Sequence, residues 1–161
     1  PLLSQDAYGL SKMAGEQMAE GFCRRIPELT VASLRFSFVM DDHAREHYLN
    51  APQNRPPLAE AMANNWWTYV DIRDTAESCR LALEVRRPGH EAYFINAPEI
   101  LLDEPVEDLI ARFYPGDYPT AADLRGRASP VDCRKAERLL GWKARFNWAG
   151  DQLDAKARGE G

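Results

Sequence analysis

The residues best suited to chemistry stand near the start of the chain, in Tyr8-Gly-Leu-Ser-Lys12. On a helix, residues four apart lie on one face, one turn above the other, so this spacing makes Tyr8 and Lys12 neighbours. A phenol with its ordinary pKa near 10 is a poor base at neutral pH. A nearby ammonium favours the phenolate and makes Tyr8 a usable acceptor for a proton from a substrate alcohol. The pair is then a unit that moves a proton while a hydride leaves the same carbon. The same spacing also fits an amphipathic helix with a half-buried tyrosine and a solvated lysine. In a chain with six tyrosines it arises easily by chance, so the surrounding segments have to decide.

Other reactive residue types offer less. The three cysteines, Cys23, Cys79 and Cys133, are far apart and form no C-x-x-C pair, which reads as buried reduced thiols in a cytoplasmic protein. His43 and His47 are four apart but lack the intervening glutamate and later ligand of a zinc protease, so no metal is expected. The net charge of −5, with dispersed acidic residues, argues against a nucleic-acid surface. No apolar run approaches the length of a membrane span, and no secretory signal opens the sequence, so no membrane partner is expected. The hydrophobic fraction of 45% and charged fraction of 28% are those of a globular protein with one respectable core.

The elements that must position Tyr8 and Lys12 follow from caps and periodicity. Asp6 caps a helix from about Ala7 that Pro27 closes, with Leu10, Ala14, Met18 and Phe22 as its apolar stripe. TVASLRFSFVM reads as a buried strand on the alternation of Leu34, Phe36 and Phe38. A polar excursion over 41–65 carries one short helix from Pro57 to Asn64, and WWTYV reads as a short strand. Asp71 caps a further helix whose inward face is expected to be Ile72, Ala76, Cys79 and Leu83. EAYFINA is a strand. Asp103 and Pro105 open a helix with Val106, Leu109, Ile110 and Phe113 on one stripe. Asp132 caps the last helix, where Ala136, Leu139 and Leu140 face inward and Gly141 makes the terminal turn. Alternating helices and strands make the class α/β, yet two or three convincing strands are few for a self-standing doubly wound sheet.

Several stretches, in order, resemble one family. The stretch D-A-Y-G-L-S-K-M-A-G-E resembles the active-site helix of the extended short-chain dehydrogenase/reductase family, the NAD-dependent epimerases and dehydratases, including the glutamate at Glu16. SLRFSFVM resembles that family's L-R-x-x-N-V-Y-G strand, and WWTYVDIRDTAESCRLALE its Y-V-x-D-x-A segment. EAYFINAPE is similar to the x-F-N-x-G strand, and SPVDCRKAERLLGWKARFNW to the C-terminal S-K-A-x-x-L-L-G-W-x-P module. Together they cover almost the whole chain.

The resemblance implies that Tyr8 is the acid/base at the substrate hydroxyl or carbonyl. It implies that Lys12 binds the nicotinamide ribose hydroxyls of NAD or NADP and lowers the tyrosine's pKa. Phe38 and Val39 fall at positions that line the nicotinamide, although the family often has asparagine where Phe38 stands. The substrate implied is a small sugar-like molecule. An arginine that contacts the diphosphate of sugar nucleotides in that family is replaced by Trp67, which leans away from those substrates. A homodimer through the active-site helix is also implied; Ala14, Gly15 and Ala19 suit such close packing, and suit an internal contact equally.

The chain contains no G-x-x-G-x-x-G turn and no catalytic Ser or Thr upstream of Tyr8. It therefore resembles the C-terminal part of a Rossmann-like doubly wound sheet plus the small substrate-binding domain. Residues 1–40 would end the nucleotide-binding domain. Residues 41–150 would form mainly the substrate-binding region with a returning strand and helix, and 151–161 a frayed tail. The expected activity is that of an NAD(P)-dependent epimerase, dehydratase or dehydrogenase in full-length form, with dinucleotide binding weak or absent in this chain alone. The alternative is a non-catalytic dinucleotide-binding or interaction module of the same fold.

Overall fold

A computed structural model describes residues 6–44, 57–116 and 124–147. The chain enters a long helix α1 (Ala7–Arg25), then strands β1 (Thr30–Phe36) and β2 (Phe38–Met40). A short helix α2 (Leu58–Ala61) and a single 3₁₀ turn (Ala63–Asn65) lead to β3 (Tyr69–Asp71) and helix α3 (Ile72–Glu84). Strand β4 (Gly89–Ile95) and helices α4 (Val106–Phe113) and α5 (Arg134–Leu140) complete the order. The frayed tail expected at 151–161, and His47, lie outside the described residues.

Among the described residues both strand pairs are parallel. β1 pairs with β4 from Thr30 opposite Gly89 to Phe36 opposite Ile95, and β2 pairs with β3 from Phe38 opposite Tyr69 to Met40 opposite Asp71. The long strand expected over TVASLRFSFVM is therefore two strands that pair with different partners, broken at Ser37. This is an α/β fold with parallel strands, a partial Rossmann-like arrangement.

Two cores sit on either side of β3. Successive strand residues point to opposite faces, so Tyr69 enters one core and Val70 the other. The first gathers Met40, Trp67, Ile100, Val106 and Leu109; the second gathers Tyr93, Ile95, Ala136, Leu140 and Trp142. α4 buries the predicted Val106, Leu109 and Ile110, and α5 buries Ala136 and Leu140. Gly141 ends α5 in a left-handed conformation at φ 68°, where a side chain would be strained.

Four further expectations fail. The N-cap of α5 is Cys133 rather than Asp132, and it makes no side-chain cap bond. The stripe Leu10, Ala14, Met18 and Phe22 of α1 is exposed, and the helix lies on β1 and β4 through its opposite side. That side carries Glu16 and Glu20, which meet Arg35 and His90 on the sheet. Charged partners there make polar residues acceptable at the interface, so apolar periodicity points the wrong way. In α3 the expected inward residues Ile72, Ala76, Cys79 and Leu83 are exposed, while Asp74 and Ser78 are buried. Finally, Trp66 and Trp67 are a turn rather than a strand, with φ of 59° and 58°. Left-handed backbone costs a non-glycine residue about 1–2 kcal/mol. Burial offsets it: Trp67 is fully enclosed and its indole N–H donates to the Ala59 carbonyl at 2.7 Å. Trp66 stacks on Tyr114 with ring centroids 4.3 Å apart.

Candidate functional site

Helix α1 sets the position of Tyr8 and Lys12. Asp6 caps it as expected, its carboxylate accepting the Gly9 N–H at 2.8 Å. Tyr8 and Lys12 thus sit in the first turns, and the Lys12 ammonium lies 5.0 Å from the centroid of the Tyr8 ring. The Ser11 hydroxyl donates to the Tyr8 carbonyl at 2.6 Å, which ties this turn locally. Tyr8 is 72% exposed, so the phenol stands open to solvent rather than in a closed pocket.

The direction of α1 follows from its contacts. Glu20 faces His90 at the start of β4, whereas Glu16 binds Arg35 near the end of β1. The helix therefore runs against the strands, and its first turns lie at their carboxyl ends. That is the end at which open α/β sheets bind ligands. Phe38 and Val39 follow β1 at this same end. Phe38 packs at the edge of the first core and Val39 against the second, so both have a packing role of their own.

Below the pair, Glu16 and Arg35 form a two-toothed ion pair. Arg35 Nε and Nη2 donate to the two carboxylate oxygens at 2.7 and 2.6 Å. The hydrogen-bonded Arg35 guanidinium holds the Glu16 carboxyl below the usual carboxylate range, with the Lys135 ammonium acting in the same direction.

A second polar feature ties the chain's later part together. The buried Asp74 carboxylate accepts the backbone N–H of Arg145, at 3.1 and 3.0 Å to its two oxygens, and that of Phe146 at 3.0 Å. Its own carbonyl accepts the Trp142 indole N–H at 3.0 Å. Burial pushes the Asp74 carboxyl up, partly offset by those two backbone N–H groups.

A cavity of about 870 Å³ is lined in part by Trp66, Asn96, Cys133 and Trp142, not by Tyr8 or Lys12. Burial pushes the Cys133 thiol up to about 11, so it is no nucleophile at neutral pH. Among the described residues no group of three His, Cys, Asp or Glu is placed to hold a metal, and no helix is long and apolar enough to cross a membrane.

Sequence reasoning missed the Asp74 clamp and the Glu16–Arg35 pair. Both depend on partners distant along the chain, at separations of 71 and 72 residues for Asp74 and 19 for Glu16. The only local signal was a glutamate eight residues beyond Tyr8 on the same helical row.

No protein-family model matches the chain, and no curated protein is similar to it. Solved structures are. A complex of MoeE5 with UDP-glucose and NAD matches with a TM-score of 0.52 and 20% identity, over 99% of this chain and 60% of that one. A complex of MoeE5 with UDP-glucuronic acid and NAD matches with a TM-score of 0.50 and 22% identity, over 91% of this chain and 55% of that one. The fold is shared with part of MoeE5. The chain spans a little over half of the MoeE5 length.

Proposed function

We propose that this chain is the active-site and substrate-domain part of an NAD(P)-dependent enzyme acting on a sugar-like hydroxyl or carbonyl substrate, with Tyr8 and Lys12 as its proton-transfer pair. The observation that carries this reading is the Lys12 ammonium 5.0 Å from the Tyr8 ring, on a helix start at the carboxyl ends of parallel strands. MoeE5, whose fold the chain shares in part, binds NAD and UDP sugars.

The described residues fit one end of a dinucleotide. Lys12 makes no ion pair among them, so its ammonium is free to donate to ribose hydroxyls. NAD, when bound, supplies the hydride acceptor. Tyr8 takes the proton from the substrate hydroxyl, and Lys12 stabilises the phenolate left by the preceding turnover or by solvent exchange. Phe38 and Val39 bound the ring end of the cofactor by packing alone. The pyrophosphate has no glycine turn to meet in this sequence, so that cradle comes from a further α/β unit of the parent protein. On this reading residues 1–40 close the nucleotide-binding domain and most of 41–150 forms the substrate side. Trp67 is enclosed in the first core, so it packs the fold rather than meeting a substrate.

Replacing Tyr8 by Phe in the full-length protein is expected to lower turnover by about 10²–10⁴-fold with the fold intact. Undiminished turnover would sink the reading. A second reading, a dinucleotide-binding module without catalysis, is favoured by Phe38 standing where asparagine is common and packing as a core hydrophobe. Stoichiometric NADH binding with no oxidoreduction across a panel of sugars and alcohols would select it.

A further inference from the structure

Tyr8, Lys12, Glu16 and Glu20 form one i, i+4 row along α1. A lysine and a glutamate at that spacing attract each other, so the default partner of the Lys12 ammonium is the Glu16 carboxylate. The structure shows something else. Both Glu16 oxygens are taken by Arg35, at 2.7 and 2.6 Å, and the Lys12 ammonium lies over Tyr8 instead. Arg35 is itself held in place, its guanidinium 5.2 Å from the centroid of the Phe94 ring on β4. The charged groups that act on Glu16 are Arg35 and Lys135, with the His90 imidazole also nearby. Glu20, the next carboxylate on the row, faces Arg24 and His90 at 3.8 and 3.9 Å.

We propose that Arg35 is a positioning residue for the Tyr8–Lys12 pair: by occupying both oxygens of Glu16, it withdraws the nearest carboxylate on the helix row from Lys12 and leaves the ammonium to face Tyr8. An ammonium neutralised by Glu16 would stabilise neither a phenolate nor a ribose hydroxyl contact. The inference deepens the proposed function and rests on its assignment of the pair, but it concerns side-chain placement and is read without turnover.

The test is NMR on the full-length protein with labelled lysine. In the wild type the Lys12 Hε protons show a ring-current shift and an NOE to the Tyr8 ring; the shift is assigned by its disappearance in Tyr8→Leu. Arg35→Met frees the Glu16 carboxylate, and exposed i, i+4 charge pairs change such populations by about twofold, so both signals are expected to fall to about half. Adding Glu16→Gln to Arg35→Met is expected to restore them, and Glu16→Gln alone to leave them unchanged. A purely structural role for Arg35 predicts no rescue. Unchanged signals in Arg35→Met, or a double variant as weak as the single, would overturn the proposal. If Arg35→Met does not fold, Arg35→Lys, whose single ammonium cannot hold both oxygens in the same fork, is read by the same loss and the same rescue. A Tyr8→Phe enzyme with normal turnover would remove the function while leaving these signals as they are.

Discussion

Replacing Asp74 by Ala is the sharpest test of how the chain's end is tied down. The carboxylate accepts the N–H groups of Arg145 and Phe146, and Ala leaves both donors without that acceptor. A hydrogen bond to a charged group contributes about 1.5–3 kcal/mol. Two such bonds are lost, but the desolvation cost of a buried carboxylate is recovered, as the raised Asp74 pKa indicates. The net loss is expected to be about 2 kcal/mol. In a chain of this size that lowers Tm by roughly 4–8 °C. Asp74→Asn keeps one oxygen acceptor and is expected to lose about half as much. The pH dependence has a definite sign. A raised native pKa means that the native state binds more protons than the unfolded one, so this group's contribution falls as pH rises from the unfolded value of 3.8 through the raised one. The stability gap between wild type and Asp74→Asn should therefore narrow across that window. Calorimetry with amide hydrogen exchange at Arg145 and Phe146 checks both points. A Tm within 1 °C of wild type, with unchanged exchange at those two amides, would refute the clamp; about 1 °C corresponds to well under 1 kcal/mol.

Other positions make narrower predictions. Gly141→Ala places a Cβ at φ 68°, in open space but in a left-handed conformation, and is expected to cost about 1 kcal/mol in denaturant unfolding with an unchanged m-value. Cys133, its thiol pushed up to about 11, should alkylate far more slowly at pH 8 than exposed Cys79, as read by peptide mass spectrometry. Leu83 is 84% exposed, so in this chain by itself Leu83→Gln should change stability by no more than about 0.5 kcal/mol, whereas a core role would cost several times that.

The α/β class, most helix boundaries and most of the caps were legible because each is written locally; the cap expected at Asp132 was not, since α5 begins after Cys133. Asp6, Asp71, Pro105 and Gly141 act within a turn of themselves, and the structure places all four at helix ends. The inward faces of α1 and α3 were not legible. A hydrophobic stripe says that a helix has an apolar side, not which element covers it. Glu16 became an interface residue because Arg35 lies opposite, and Asp74 because two later amides reach it; both facts belong to the tertiary fold. Trp66 and Trp67 failed differently: their β propensity was overridden by a left-handed turn that core packing maintains. The Tyr8–Lys12 spacing was visible at once. What keeps the ammonium beside the phenol was not, since it lies on β1.

The exposed stripes bear on the proposed function in one more way. Parallel sheets are normally covered on both faces and extend beyond two strands. Here, among the described residues, β1 pairs with β4 alone, and α1 and α3 both pack near β1 while turning apolar residues outward. Leu10, Met18 and Phe22 on one helix and Ile72 and Leu83 on the other are what a continuing sheet with its own helices would cover. A module that worked alone would be expected to carry charge there, because long apolar stripes and an open strand edge invite association. The faces that misled the sequence reading are thus the ones that the proposed further α/β unit requires. That unit would also bring the phosphate cradle to the end of the sheet where Tyr8 and Lys12 already stand.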